Sequence, residues 1–526
     1  MKNADENSQS IWKKPWKGRS AVFALACLVA LVALFYAEED WRGWHAWQKF
    51  KHEWEAKGER FDRASVIPPT VPDDQNFALT PIVASSYLHV MDKSGHQIQP
   101  PNTNVIDRLK MNIYNDSGDS KDWPTNGNWQ KSAPTDLTGW QQYYRNPKDS
   151  TQTGEFPVAP QQQTPADDVL LALSKYDSAI EELRQASRLP DSRFPLEYDR
   201  EDTWAILLPH LTDLRGCAWV LQLRAIVELQ NGQSEKALED VKLSLRLADS
   251  VHTEPILISP LVRIAILQIT LQPVWEGLAE HKWSDAQLVA LDQELAKLDF
   301  LADYKTAMRG ELVLCQGGTF DYLRHHSEQF SSLFSESGES GSAPPLPERI
   351  LYHLIPSGWF YQNQLRCARP MVELYLPLSD VNREVISPAA TRHADAVIEA
   401  DAKRHRNPYN FIEKMLLPAL GAATKKFACG QESVDLARVG CALERYRLAH
   451  GEYPESLDAL EPQFIAKLPH DIINGQPLHY RRTADGQFVL YSVGWNEKDD
   501  DGVVGLTKGG SVDIAKGDWV WRYPAK

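Results

Sequence analysis

Hydrophobic and polar positions change their rhythm several times along this chain. Residues 21–37 form an apolar run of 17 residues without a charge or strong polar group. A bilayer core is roughly 30 Å thick, so this run, slightly extended, predicts one transmembrane helix over residues 20–37. A charged, Trp-rich pattern over 38–66 predicts a juxtamembrane helical stalk, ended by Pro68, Pro69 and Pro72. No period survives over 67–163, and its density of Asn, Asp, Gln, Ser, Pro and Gly predicts a loop-rich extended region. Trp123, Trp129, Trp140, Tyr143 and Tyr144 suggest that part of it docks onto something.

Helical periodicity begins at Thr164, a capping hydroxyl followed by Pro165 and Asp167. Val169, Leu173, Tyr176, Ile180 and Leu183 then place one apolar stripe on a helix reaching about Arg188. A second helix near 206–230 ends at Asn231 and Gly232, and a third carries Ala237, Val241, Leu245 and Ala248. This pair resembles one tetratricopeptide-type hairpin, although no recurrence at that period follows. Residues 256–275 are apolar enough to raise a second membrane span. Arg263, Gln268, Gln272, Pro260 and Pro273 point to a buried core helix. Ser284 and Asp285 start another helix with Leu288, Leu291, Leu295 and Leu298 on one face. Residues 335–347 read as a flexible surface loop, and more helix is expected between 361 and 427. Residues 164–428 are thus expected to be a mainly α domain.

From Ser433 the pattern becomes α+β. A helix bearing Leu436, Val439, Leu443 and Tyr446 is stopped by Gly451 and Pro454. Short strands follow at 478–482, 488–493 and 518–522, the first two separated by a turn at Asp485 and Gly486.

Charge decides orientation. Lys2, Lys13, Lys14, Lys17 and Arg19 precede the apolar run, and Glu38, Glu39 and Asp40 follow it. The positive-inside bias makes residues 1–19 a cytoplasmic tail and leaves the bulk outside. Trp12, Trp16, Trp41, Trp44 and Trp47 suit rings at the two headgroup layers, or ordinary helix packing. A cleaved signal peptide is the competing reading, but Phe35 spoils a small-residue cleavage site at Ala37. A lipoprotein site at Cys27 has too short an apolar lead. The formal charge of −15 and the absence of a later basic stripe exclude a nucleic-acid partner. Cys217, Cys315, Cys367, Cys429 and Cys441 are odd in number and form no C-x-x-C pair, so free buried thiols are expected.

Within the last region, Tyr446 and Arg447 precede Gly451, Glu452, Tyr453 and Pro454. Leu457, Leu460, Leu468, Pro469, Asp471, Gly475, Pro477 and Tyr480 follow in order. Tyr491, Ser492, Val493 and Gly494 then lead to Asp499, Asp500, Asp501 and Gly502. Residues 433–523 thereby resemble the C-terminal globular module of the type II secretion major pseudopilin, and a pseudopilin-like α+β module is expected over 433–526. The family's prepilin-peptidase Glu has no counterpart after Gly18. The whole helical domain separates anchor from module, and the family's Asp-Pro-Trp-Gly is replaced by the longer stretch from Asp471 to Gly475.

In that family the acidic loop binds calcium, so the resemblance implies a calcium ion here. The residues themselves agree: Glu497, Asp499 and Asp501 alternate before Gly502, as donors 1, 3 and 5 with Gly at 6 open a calcium loop. Position 12 falls on Lys508, so this is no complete EF-hand, and Asn496, backbone carbonyls and Asp513 would have to complete the set. A solvated acidic turn would carry the same residues. His325 and His326 after Asp321, and His393, Asp395, Glu399 and Asp401, lack metal-site spacing and read as solvated helix faces. His52 has no second zinc-binding His, and no nucleophile elbow, phosphate loop or dinucleotide fingerprint occurs.

The expected protein is therefore a non-enzymatic, single-pass inner-membrane protein with its bulk in the periplasm. Its expected partners are the membrane, through residues 20–37, and envelope or secretion proteins whose assembly it assists. The alternative is a membrane-anchored envelope hydrolase with its site in the helical domain.

Overall fold

The computed structural model describes residues 14–86, 90–91, 97–98, 108–114, 123–146, 156–326, 354–403, 407, 409–410 and 420–524. The loop expected over 335–347 and most of the cytoplasmic tail lie outside the described residues.

Helix α1 (Lys14–Glu55) runs unbroken for 42 residues, about 63 Å at 1.5 Å per residue. It is long and apolar enough to cross a membrane, and its apolar stretch is not buried within the protein. Two short strands, β1 (Val90–Met91) and β2 (Gln97–Ile98), pair antiparallel. Helix α2 (Leu137–Arg145) starts at Asp136, whose carboxylate accepts from the Gly139 amide at 2.9 Å. Helix α3 (Pro165–Leu173) is capped as its sequence predicts, with the Thr164 hydroxyl accepting from the Asp167 amide at 3.1 Å. The stripe expected to reach Arg188 is broken by a tight 3₁₀ turn, Ser174–Tyr176, before α4 (Asp177–Ala186). There the Ser174 hydroxyl bonds back to the Leu171 carbonyl at 2.7 Å.

Helices α5 (His210–Gln230), α6 (Ser234–Asp249) and α7 (Ile258–Ala279) pack on one another. Gly232 turns the chain between the first two at φ +72. Helix α7 passes a membrane-span test by length and composition, but 72% of its apolar window is buried inside the protein. Its Arg263 is neutralised by Asp303 and by Asp249 at 3.2 Å, which suits a core helix and not a lipid-facing one. Helix α8 (Asp285–Leu295) opens with a capping box of Ser284 and Gln287. Helix α9 (Phe300–Gly310) widens through a π-helical stretch, Glu311–Gly317, into α10 (Gly318–His325). Helix α11 (Ser357–Pro370), the hairpin of β3 (Ser379–Asp380) and β4 (Val385–Ile386), α12 (Pro388–Lys403) and α13 (Leu420–His450) follow. Beyond α13, β5 (His479–Arg482), β6 (Phe488–Ser492) and β9 (Trp519–Arg522) form an antiparallel sheet with β6 central. Strands β7 (Val504–Leu506) and β8 (Val512–Gly517) pair separately.

Three boundaries differ from those the sequence suggests. The outer half of α1 is no free stalk: Trp47 and Phe50 are buried and the helix lies along α11. The described residues of 67–163 are not an extended region. Phe77, Ile82, Leu109, Ile113, Trp140 and Tyr144 enter a core with α3, α5 and α7. The segment around Trp129 reaches the C-terminal sheet, where Trp129 meets Trp521 at 5.2 Å and the Ser132 hydroxyl bonds to the Arg522 carbonyl at 3.2 Å. Finally, the last helix begins at Leu420 and not at 433, so α13 runs through the expected domain junction. One core consequently runs from Trp47 of α1 through α7 and α13 to Phe488 and Trp521 of the sheet.

Candidate functional site

Residues of α13 and of the segments that follow it have identifiable structural roles. Glu444 of α13 is buried, and its carboxylate accepts from Arg447 at 2.7 and 2.8 Å, from the Tyr453 hydroxyl at 3.0 Å and contacts His281 of the loop after α7 at 3.0 Å. Burial pushes this carboxyl up, but the hydrogen bonds from Arg447 and His281 outweigh it and hold the group below the usual Glu value. The turn at Gly451, with φ +87, swings Tyr453 beneath the sheet, and the Tyr480 hydroxyl ties Pro454 to β5 at 2.7 Å. Asp471 accepts from the amides of Ile473 at 2.9 Å and Val493 at 3.0 Å, stitching the 471–475 loop to the end of β6. These contacts join helix to sheet.

The acidic loop between β6 and β7 is ordered from within. Gly494 (φ +65) and Gly502 (φ +75) make its tight turns, with Glu497 (φ 59) and Asp501 (φ 61) also left-handed. Asp518, at the foot of β9, is buried and accepts from the amides of Asp500 at 3.1 Å and Gly502 at 2.7 Å. Burial raises its pKa although these amides oppose the shift. Asp499 accepts from the Asp501 amide at 2.9 Å and the Tyr491 hydroxyl at 3.0 Å, which lower its pKa. Asn496 donates to Asp500 at 2.7 Å. Glu497 pairs with Arg392, Asp501 with Arg481 at 2.9 Å, and Asp513 on β8 with Lys516 at 3.0 Å.

The five expected calcium donors are therefore not brought together. Among the described residues no group of three or more His, Cys, Asp or Glu side chains is placed to hold a metal ion. Three of these carboxylates, those of Glu497, Asp501 and Asp513, face Arg392, Arg481 and Lys516. Asp518, the residue that organises the loop, reads in the sequence only as the first residue of a strand; its contact with residues 500–502 depends on long-range register.

The other titratable candidates are also separated. Asp321 pairs with Arg324, His326 with Glu201 at 3.1 Å, Glu399 with Lys403 at 2.7 Å and Asp401 with Arg366 at 3.4 Å; Asp395 accepts from the Tyr375 hydroxyl at 2.8 Å. Deeper in the helical domain, Asp240 is shared by Arg184 and Arg224, the latter at 3.0 Å, and His210 meets Glu254 at 2.9 Å. Such paired charges hold helices in register. No disulfide joins the described cysteines, and Cys217, Cys367, Cys429 and Cys441 are buried.

One cavity gathers unspent chemistry. A space of about 340 Å³ opens where α8, α9, the β3–β4 hairpin and α13 meet the 466–472 segment. Asp435 lines it, 7% exposed, and its carboxylate accepts from Gln431 on its own helix at 3.3 Å. Burial pushes its carboxyl up to about 7, opposed by Gln431 and Arg438 and reinforced by Glu384 and Asp299. Arg438 is held by Asp292 at 2.8 Å, while Glu384 faces Lys467 at 3.2 Å and His470 at 3.8 Å. One turn away, Glu432 is fully buried, with one oxygen accepting from the Ile472 amide at 3.1 Å and the other unpaired. Burial and then Asp471 raise its carboxyl well above the ordinary range. No Ser, Thr or Cys is among the residues that line the cavity. Sequence periodicity hides Asp435 because it falls on the middle of a helix most of whose residues there are buried.

No family model, curated protein or solved structure matches this chain. Its function is read from its own residues.

Proposed function

We propose that this is a non-enzymatic, single-pass envelope protein that presents a pseudopilin-like module to envelope or secretion components, with its tail in the cytoplasm and its bulk in the periplasm. The observation that supports this is the shared core joining the outer half of α1, the helical domain and the C-terminal sheet. A module carried this way is held at a set height above the anchor, as an assembly factor requires and a tethered enzyme does not. The ionisable groups of the helical domain described above serve mainly as paired structural charges. Cross-linking the intact protein in its own membranes, followed by affinity capture, tests the reading. Recovery of secretion or pilus components supports it, and recovery of none counts against it.

The alternative, a membrane-anchored envelope hydrolase, draws on Asp435, an acid near its working range in a cavity. Hydrolysis of ester, peptide or glycan substrates by the native protein, abolished by Asp435→Asn, would replace the reading above.

A further inference from the structure

We infer that the edge of the outer domain formed by Leu354 and the start of α11 sits in the headgroup layer of the membrane, together with Trp41 and Trp44. This rests on the reading of residues 20–37 as a retained membrane span. The height of each residue follows from its contact with α1. The Tyr36 hydroxyl, inside the apolar run, donates to the Leu354 carbonyl. Side chains lean toward the N-terminus of their helix, so this hydroxyl lies no farther from the bilayer centre than Tyr36 itself. Asp40 accepts from the Gly358 amide at 2.8 Å, and Glu39 accepts from the Trp359 indole at 3.0 Å. From Ala37 to Gly43 the helix rises only about 9 Å, and each headgroup layer is roughly 5–7 Å deep. The first turn of α11 therefore has no room for bulk water between itself and the lipid.

The side chains at this level agree with that placement. Leu354 is 57% exposed, Trp41 63% and Trp44 47%, among the few large apolar side chains uncovered outside the span itself. Tryptophan at the bilayer surface buries its ring while its N–H stays hydrated. One charge at the same level is neutralised internally: Glu39 is 4% exposed and bonded to Arg42 at 2.7 and 2.8 Å and to Tyr409 at 3.1 and 3.2 Å. A carboxylate so enclosed can approach lipid without carrying water with it.

The test uses the full-length protein with Cys27→Ser, in proteoliposomes of phosphatidylethanolamine and phosphatidylglycerol. Nitroxide labels are placed singly at Leu354→Cys, at Leu34→Cys within the span, and at Val503→Cys, which is 58% exposed in the C-terminal module. The Leu354 label is expected to favour oxygen over a water-soluble nickel chelate, as the Leu34 label does, whereas the Val503 label does the reverse. A Leu354 label as open to the chelate as that at Val503, with the Leu34 label still in lipid, overturns the inference and leaves the span standing. Recovery of a soluble mature chain lacking the apolar run would overturn the span and this placement with it.

Discussion

Gly43 and Gly358 meet backbone to backbone. A methyl group on Gly43 would come within 2.2 Å of the Gly358 carbonyl oxygen, and one on Gly358 within 2.0 Å of the Glu39 carbonyl oxygen. No side chain is available to move aside, so any substitution must separate α1 from α11. Through that crossing the anchor holds the outer domain, with Trp47 and Phe50 buried farther along the same helix.

Gly43→Val and Gly358→Val are each expected to cost about 1–3 kcal/mol or more. Thermal unfolding of the detergent-purified protein should show a midpoint lowered by several degrees, and limited proteolysis should release the outer domain sooner. Gly509→Ala, where a methyl group would meet nothing nearer than 3.9 Å, is the control and should melt as the native protein does. Melting of Gly43→Val with that control would mean that the two helices are not locked together.

A second prediction concerns pH. Asp435 binds its proton more tightly in the folded protein, where its pKa moves from 3.8 to about 7. Protonation therefore favours the fold. This contribution is complete below the unfolded value and is lost as pH rises through about 7. Arg438 opposes the shift, and Glu384 and Asp299 reinforce it. Urea unfolding at pH 5 and pH 8 should show a native protein less stable at the higher pH. Asp435→Asn, which cannot ionise, should narrow that gap by up to about 2.7 kcal/mol, because only the two pH units between 5 and the folded value of about 7 contribute, at about 1.36 kcal/mol each. An undiminished gap would show that Asp435 ionises freely in the folded protein.

What could be read from the sequence was local. The Thr164 cap, the Asn231 and Gly232 turn, the Ser284 start and the turn at Asp485 and Gly486 all depend on neighbours within a few residues, and the structure places each as expected. The start of α13 could not be read in the same way. Gln431, Glu432 and Ser433 look like a junction, but they belong to a helix covered by α7 to α9 on one side and the sheet on the other. A helix without a solvent face has no polar stripe to mark its period. Trp140 shows the same limit from the other side. Its surroundings are polar enough to suggest loop, yet it is completely buried against Tyr114, Tyr143 and Tyr144. A few aromatics anchored far away in sequence can order a segment that composition alone would leave extended. Of the candidate calcium residues, the sequence located the loop correctly, but the partners that claim its carboxylates, Arg392 and Arg481, lie on other elements.

The last prediction follows from how that loop is held. Asp518 accepts three hydrogen bonds from two amides of the loop, reaching Asp500 and Gly502, and is almost wholly enclosed. A cation seeking Glu497, Asp501 and Asp513 would first have to separate them from Arg392, Arg481 and Lys516, forfeiting the ion pairs and rebuilding a turn already satisfied by its own backbone contacts. The melting temperature of the intact protein is therefore expected to be the same in millimolar calcium and in chelator. Asp518→Ala should lower it in both, the fold losing roughly 1–3 kcal/mol for the buried amides left without an acceptor. A rise of several degrees on adding calcium, abolished by Asp499→Asn, would show that the loop reorganises around an ion and that Asp518 alone does not hold it.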